Sequence, residues 1–371
     1  MPSYEVCVRG NGAVAHAAAL ALARQGLQVA LARGASGPAA AVDVRAYAIN
    51  TASVALLSSL KVWDALPADA RTAVYDMHVE GDAAGAALDF SAWSQGAPAL
   101  AWIADASELD AALRRAADFA PHLSVLDDLP EGVATLQVLA EGRDSAARQR
   151  LGVQMPLMAY DQRALATRVV ALLPHGGVAR QWFRSPDVLA LLPLDRPVPE
   201  RSLGVVWSLP QARAQDLMAL PDAAFEQALT DATGGALGAL QLAGPRADWP
   251  LALAYAEQVC GPGWVLLGDA AHRVHPLAGQ GLNLGFADVA SLARVISERE
   301  PWRALSDPRL LQRYARERFV PTRAMGSLTD GLWQLFSSPQ PLVRELRNRG
   351  LTLVNHLPPL KRLLAARALQ S

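Results

Sequence analysis

The feature that most constrains the fold is a glycine-rich turn close to the start of the chain. Residues 9–15 read RGNGAVA; a short β-prone run precedes them, and an alanine- and leucine-rich stretch follows. A second apolar run, 27–31, comes next. The spacing Gly10-x-Gly12-x-x-Ala15 between a strand and a helix is typical of a β-α-β unit that binds a dinucleotide. The sequence therefore predicts an α/β fold with a Rossmann-like domain.

Each residue of this turn suits a pyrophosphate. Gly10 can take a backbone conformation closed to other residues, and Gly12 lets the backbone come close to phosphate groups. The helix that begins at Ala13 offers free N–H groups and a partial positive charge. The second strand of such a unit usually ends in an acid that accepts hydrogen bonds from ribose hydroxyls, but Arg33 stands here. Arginine either meets a phosphate at this position or weakens cofactor binding.

A second motif, GDAAHRVHPLAGQGLN, occupies residues 268–283 and leads into a helix predicted to begin near Gln280. The carboxylate of Asp269 at a strand end can accept hydrogen bonds from a polyol chain. The glycines at the helix start offer N–H groups to a developing anion. This combination favours a flavin. A metal site built from Asp269, His272 and His275 is an alternative that the flavin interpretation explains better.

The 268–283 motif resembles the second flavin-binding motif of the class A FAD-dependent aromatic hydroxylases, the p-hydroxybenzoate hydroxylase superfamily. Residues 43–49 (DVRAYAI) and 346–361 are similar to segments of its ubiquinone-biosynthesis branch. In that branch the first segment carries an arginine that contacts FAD, which implies this role for Arg45. The Asp-Gly motif of the family, which approaches FAD and the nicotinamide nucleotide, is Glu141-Gly142 here.

The resemblance implies an FAD-dependent monooxygenase that uses NAD(P)H and O2 to hydroxylate a phenolic or quinone-precursor ring in ubiquinone biosynthesis. The expected substrate is a small aromatic molecule, with or without a prenyl chain. The expected FAD-binding residues are Gly10, Gly12, Ala13, Arg33, Arg45, Gly268, Asp269, Gly281, Leu282 and Asn283. The residues expected at the reacting face of the flavin are Pro276, Gly279, Gln280 and Gly281.

The order of predicted strands and helices along the chain predicts that the dinucleotide-binding domain is interrupted by an insertion. Short strands separated by proline-rich turns fill the region around 181–209, and the dinucleotide-fold pattern returns near 264. We expect a discontinuous FAD-binding domain (GR2-type), an inserted β-sheet substrate domain and a C-terminal helical region. The predicted ranges are 1–75, 100–150 and 256–300 for the first, 76–99 and 151–255 for the second, and 301–371 for the third.

The composition of the chain excludes several classes of protein. The 34 basic and 35 acidic residues exclude a bulk nucleic-acid binder, and the two cysteines exclude a disulfide framework. The first residues lack the apolar run of a secretory signal, so a cytoplasmic location is expected. Residues 341–371 hold six basic side chains and one acidic side chain. This excess predicts either contact with a membrane surface or a protein complex, or simply a solvated helix face.

Two other functions stay open at this stage. Arg33, Glu141 and the short stretch 121–136, which leaves little room for the β-hairpin layer of the family, together suit a degenerate member that acts as an accessory or scaffold protein. An FAD enzyme that reduces isoprenoid double bonds or halogenates a ring is also compatible with the same fold.

Overall fold

The computed structural model describes residues 4–34, 43–83, 85–128, 133–274 and 280–337. The strands, in chain order, are β1 (Tyr4–Arg9), β2 (Val29–Ala32), β3 (Ala46–Ile49), β4 (Arg71–Val74), β5 (Asp76–Glu80), β6 (Ala87–Ser91), β7 (Ala101–Asp105), β8 (Leu123–Leu126), β9 (Ala134–Leu139), β10 (Leu157–Ala171), β11 (Val178–Arg184), β12 (Asp187–Leu194), β13 (Ser202–Pro210), β14 (Leu240–Leu242), β15 (Ala247–Tyr255), β16 (Cys260–Gly261), β17 (Trp264–Leu266) and β18 (His272–Arg273). The helices are α1 (Ala13–Ala23), α2 (Thr51–Ser59), α3 (Ala92–Gln95), α4 (Ala106–Asp118), α5 (Ala146–Arg150), α6 (Gln211–Ala219), α7 (Asp222–Ala232), α8 (Gln280–Ser297) and α9 (Pro308–Ser337).

A six-stranded sheet with the order β16-β17-β9-β1-β2-β8 forms the dinucleotide-fold part of the molecule. The pairs β1–β2, β1–β9, β2–β8 and β9–β17 are all parallel. Parallel sheets are buried on both faces, which is why the centre of β1, residues 6–8, and all of β2 are apolar. Val6, Val8, Val29 and Leu31 have no exposed surface. The predicted Rossmann-like β-α-β opening is confirmed.

The stretch 121–136 contributes to two strands of the parallel sheet, β8 and β9. Its two strands do not pair with each other: β8 lies beside β2, and β9 lies beside β1. Each therefore adds to the parallel sheet. Both strands end at the same edge of the sheet as β1, because parallel strands share a direction.

A nine-stranded sheet, with the order β18-β15-β10-β13-β12-β11-β5-β6 and with β14 beside β10, forms a second layer. Helices α6 and α7 cover one face, where Trp182, Trp207 and Phe225 are buried in one apolar cluster. The two tryptophans thus belong to the core of this layer. Strands from 76–99 and from 151–255 share this sheet, while the domain boundaries themselves stay a prediction.

Helix α9 spans both sheets. Near its start, the hydroxyl of Tyr314 donates a hydrogen bond to the carbonyl of Leu266 (2.9 Å) in the parallel sheet. Near its end, the hydroxyl of Tyr160 on β10 donates to Asp330 (3.0 Å). No helix in the described ranges combines the length and the apolar character required to cross a bilayer. The basic segment predicted at 341–371 lies outside the described residues.

The packing of α1 against α8 depends on a glycine. A Cβ atom at Gly285 on α8 would lie 2.6 Å from a γ-carbon of Val14 on α1. It would also lie 3.5 Å from the Cα atom of Gly268. Because real Cβ atoms do not approach other carbons at 2.6 Å, only glycine lets α8 lie this close to α1 and to the turn after β17.

We predict that Gly285→Ala destabilises the protein by about 1–2 kcal/mol through overpacking, although alanine is otherwise the better helix former. The matched control is Gly331→Ala on α9, where a Cβ atom would meet no atom within 4 Å. We expect that variant to be neutral or slightly more stable. Urea unfolding of both variants measures the difference, and adding Val14→Ala to Gly285→Ala should restore part of the loss. Equal unfolding midpoints for the two glycine variants would contradict this packing.

Candidate functional site

An open cleft of about 570 Å³ lies where β1, β2, β8 and β9 end. Ligands of doubly wound folds bind at this edge, outside the carboxyl ends of the strands where the strand order reverses. The lining residues come from four separate parts of the chain: Arg9, Gly10, Asn11, Ala32, Arg33, Gly34, Asp127, Asp128, Glu141, Asp144, Ala146 and Arg150.

The first glycine turn shapes one wall of this cleft. Gly10 has a φ of +138°, and a Cβ there would lie 2.3 Å from the carbonyl oxygen of Ala140. A Cβ at Gly12 would meet nothing within 4 Å, so the backbone at Gly12 is open to a ligand. Gly12 is the N-cap of α1, and as a glycine it has no side chain to cap that helix. The first-turn amides that follow, beginning at Ala13, can therefore serve an anion.

An orphaned polar atom supports the fit of a dinucleotide. The buried Oδ1 atom of Asn11, which lines the cleft, has no hydrogen-bond partner among the described residues. A buried polar group that is left unpaired costs free energy, so such an atom points to an absent partner. The residues present thus fit the pyrophosphate part of FAD.

Arg33 turns toward α4. Its NH2 atom lies 3.0 Å from Oδ1 of Asp118. This ion pair occupies one terminal nitrogen, and the guanidinium has no acceptor atom to offer a ribose. The role of Arg33 in cofactor binding stays a prediction.

Arg45 is held by its neighbours on the chain. Its Nε and NH2 atoms donate to the carboxylate of Asp43 at 2.6–3.1 Å, and its guanidinium lies 5.3 Å from the ring centre of Tyr47. Hydrogen bonds to Asp43 raise the pKa of Arg45 above its ordinary value. The guanidinium is thus a permanent, half-exposed charge that a phosphate can approach.

Tyr47 connects the Arg45 segment with the second motif. Burial raises the pKa of its hydroxyl, Arg45 lowers it, and the nearby charges of Asp110 and Asp269 raise it further. Asp269 is exposed to solvent after β17. Two segments predicted as flavin contacts, more than 200 residues apart in the sequence, thus lie within electrostatic range of one side chain.

The second glycine turn is fixed by a buried ion network. Gly268 has a φ of +58°, and its N–H donates to Oδ2 of Asp288 on α8 (2.9 Å). The same Oδ2 lies 2.7 Å from Nε2 of His272, and Oδ1 of Asp288 accepts from Nε of Arg318 at 2.7 Å. Burial alone would raise the pKa of Asp288, but His272 and Arg318 hold it below its ordinary value. Sequence reasoning missed Asp288 and Arg318.

Asn283 uses its side chain within the protein. Its Nδ2 atom donates to the carbonyl of Ala48 (2.8 Å), and its Oδ1 atom accepts from the N–H of Asn50 (3.1 Å). These bonds tie the start of α8 to β3 and α2. What Asn283 can offer a flavin is therefore its backbone, which stays a prediction. Sequence reasoning expected the contact and not this anchoring role.

Of the remaining predicted residues of the second motif, Gln280, Gly281 and Leu282 lie within the described residues. Gln280 is buried at the start of α8, and a Cβ at Gly281 would meet nothing within 4 Å, which leaves room beside the helix start. Leu282 packs partly against the main apolar core. Pro276 and Gly279 lie outside the described residues, as does His275. Within the described ranges, no group of three metal-ligating side chains occurs.

Glu141, of the Glu141-Gly142 pair, has a structural role. Oε2 of Glu141 accepts hydrogen bonds from the hydroxyl of Ser145 (2.6 Å) and the N–H of Ala147 (2.9 Å), so the longer carboxylate organises the start of α5. From α5, NH1 of Arg148 donates to the carbonyl of Ala270 (3.2 Å). Glu141 thus organises the start of the helix whose Arg148 contacts the second glycine turn.

We predict that Asp288→Asn lowers the free energy of unfolding at pH 7 by about 3–5 kcal/mol, because it leaves the largely buried guanidinium of Arg318 without a counter-charge. The control is Glu298→Gln, also on α8, which breaks an exposed pair with Arg294 and should cost under about 1 kcal/mol. Denaturant unfolding measures both. A cost for Asp288→Asn no larger than the control would contradict the network.

The pH dependence of this contribution follows from the depressed pKa of Asp288. The stabilisation is fully present above the ordinary carboxyl value of 3.8 and is lost as pH falls below it toward the folded-state pKa. The stability gap between the parent protein and Asp288→Asn should therefore narrow below about pH 4. A gap that widens in acid would contradict the sign of this shift.

Comparison with known proteins agrees with the geometry. A family model described as an FAD binding domain matches residues 133–326. Ubiquinone hydroxylase UbiL of Rhodospirillum rubrum is 31% identical, over 98% of this chain and 89% of its own length. The 3-demethoxyubiquinol 3-hydroxylase of Escherichia coli is also 31% identical, over 96% of each chain.

Solved structures show the same fold at lower identity. The chain superposes with a TM-score of 0.76 and 20% identity on PqsL of Pseudomonas aeruginosa, named a probable FAD-dependent monooxygenase, over 94% of this chain and 99% of that one. The TM-score is also 0.76, at 16% identity, for p-nitrophenol 4-monooxygenase PnpA of Pseudomonas putida, over 99% and 98% of the two chains.

The family model is described as an FAD binding domain and PqsL is named a probable FAD-dependent monooxygenase, so FAD is the cofactor of this fold family. The chain belongs to the FAD-dependent aromatic hydroxylases, in the branch of the ubiquinone-biosynthesis hydroxylases.

Proposed function

We propose that this protein is an FAD-dependent monooxygenase that uses NAD(P)H and O2 to hydroxylate a phenolic or quinone-precursor ring in ubiquinone biosynthesis. Its relatives are named for hydroxylation of ubiquinone or its precursors. The observation that carries the proposal is the meeting of the two glycine turns. A Cβ at Gly268 would lie 3.4 Å from both γ-carbons of Val14, just inside the first turn of α1.

Different residues of the chain bind different parts of FAD in this proposal. The backbone at Gly10 and Gly12 holds the pyrophosphate, with Arg45 as the nearby cation. Asp269 accepts hydrogen bonds from the ribityl chain, since its carboxylate is exposed at the end of β17. FAD, when bound, supplies the redox and oxygen chemistry. The protein orients it and excludes water.

The start of α8 carries the electrostatic part of catalysis. The N–H groups of Gly281, Leu282 and Asn283 and the positive end of the 18-residue helix would face the pyrimidine edge of the flavin and stabilise negative charge there. Gln280 opens this helix. Pro276 and Gly279, just before it, would shape the reacting face. The anchoring of Asn283 to Ala48 and Asn50 fixes the position of these donors.

The substrate is a small aromatic molecule, and we propose that it carries a prenyl chain and enters between the nine-stranded sheet and the flavin. Helix α9 exposes Phe319, Val320 and Leu328, with 61%, 67% and 54% of their surface accessible. Such exposed apolar side chains suit contact with a lipid surface or a complex that holds lipid-like substrates. The basic segment after α9 would add attraction to anionic headgroups.

The direct test is the absorbance spectrum of the purified protein followed by NAD(P)H oxidation with candidate phenols, with and without O2. We expect a yellow protein and oxygen-dependent oxidation that yields a hydroxylated ring. A colourless protein that takes up no added FAD would contradict the proposal and favour the accessory-protein alternative. A flavoprotein whose NAD(P)H oxidation and product need no O2 would favour the reductase.

We further predict that Asp269→Ala weakens FAD binding about tenfold or more, because a carboxylate that accepts hydroxyl hydrogen bonds is lost. The matched control is Asp216→Ala, which removes an exposed aspartate on α6, and it should leave the affinity unchanged. Quenching of FAD fluorescence on titration measures both dissociation constants. Unchanged affinity in Asp269→Ala would remove this residue from the site.

A further inference from the structure

The proposed FAD site lacks one expected partner. In Rossmann clefts, a carboxylate at the end of the second strand accepts hydrogen bonds from the ribose hydroxyls of adenosine. Arg33 stands at this position and has only donors. Its NH2 atom is also bonded to Asp118 at 3.0 Å. A ribose bound here needs an acceptor from elsewhere in the fold.

The neighbouring strand brings a carboxylate to the same place. The β2–β8 register pairs Ala32 with Leu126, so the next residues along, Arg33 and Asp127, stand opposite each other. Backbone hydrogen bonds continue past the strand ends, from the N–H of Arg33 to Leu126 (3.0 Å) and from that of Gly34 to Asp127 (2.7 Å). Adjacent strands lie about 4.8 Å apart. Asp127 is therefore one strand spacing from the usual acidic position, and it lines the cleft.

The other cleft carboxylates are engaged or distant. Asp128 pairs with NH1 of Arg9 at 3.2 Å. Glu141 accepts hydrogen bonds at the start of α5. Asp144 follows β9, on the opposite side of β1 from β2. The side chain of Asp127 is exposed and makes no ion pair within the described parts of the chain.

We propose that Asp127 accepts the hydrogen bonds of the adenosine ribose hydroxyls, one strand over from the usual acidic position. This inference rests on the proposed function, because it assumes that the cleft takes the adenosine end of FAD. Arg33 and Asp118 then form the outer wall beside the ribose. The Arg33 substitution relocates ribose recognition and does not abolish it.

The test compares two nucleotides of equal charge, ADP and 2′,3′-dideoxy-ADP, in competition with FAD for the full chain after flavin removal. We expect the parent protein to bind ADP about tenfold more tightly, since only ADP offers hydroxyl donors. In Asp127→Ala the ratio should fall to about one. Asp127→Asn, which keeps an acceptor oxygen, should retain part of the ratio. Asp144→Ala removes a carboxylate from the same cleft and should keep the full ratio.

The ratio separates ribose recognition from general electrostatics, because both nucleotides carry the same phosphates. A parent-like ratio in Asp127→Ala, or a ratio near one in the parent protein, would overturn the inference while FAD binding still supports the proposed function. If the parent protein bound no FAD, both would fall together. Asp127 is exposed, so its variants should unfold at the temperature of the parent protein, which checks that they are folded.

Discussion

The buried carboxylate of Asp288 is the interaction on which the site depends. It has no exposed surface, and its two oxygens engage the N–H of Gly268, the ring of His272 and the guanidinium of Arg318. Three separate segments therefore meet at one ion: the turn after β17, helix α8 and helix α9. A buried charge is tolerated only when it is fully paired, so this arrangement requires all three segments to be in place. The turn that carries Asp269 is thus coupled to the packing of the C-terminal part of the fold.

A second set of contacts fixes the site from the opposite side. Asn283 forms hydrogen bonds with the backbone at Ala48 and Asn50. These bonds hold the start of α8 against the segment that follows Arg45. Arg168, from the nine-stranded sheet, donates to Asp105 and to the carbonyls of Val44 and Arg45. The large sheet is thereby attached next to the proposed flavin. This placement supports the proposed entry of the substrate between the nine-stranded sheet and the flavin.

Much of this architecture could be predicted from the sequence because its signals are local. Gly10 requires glycine because of its positive φ and the close carbonyl of Ala140, and the strand and helix on either side mark the turn in the sequence. The 268–283 motif is likewise a local glycine-rich pattern between a strand and a helix. The partners of those turns could not be predicted. Asp288 lies 20 residues beyond Gly268 and Arg318 a further 30, and their pairing exists only after α8 and α9 have packed. The position of Asp127 in the cleft could not be predicted for a related reason, since only the β2–β8 register places it opposite Arg33.

The central claim is that the two glycine turns form one FAD site. Hydrogen exchange of backbone amides, measured with and without added FAD, tests it most directly, because the amides themselves are the proposed ligands. The account predicts that FAD slows exchange at residues 10–15 and, in the same experiment, across 268–284. Protection confined to the first turn, or the absence of protection at both in a folded protein, would contradict it.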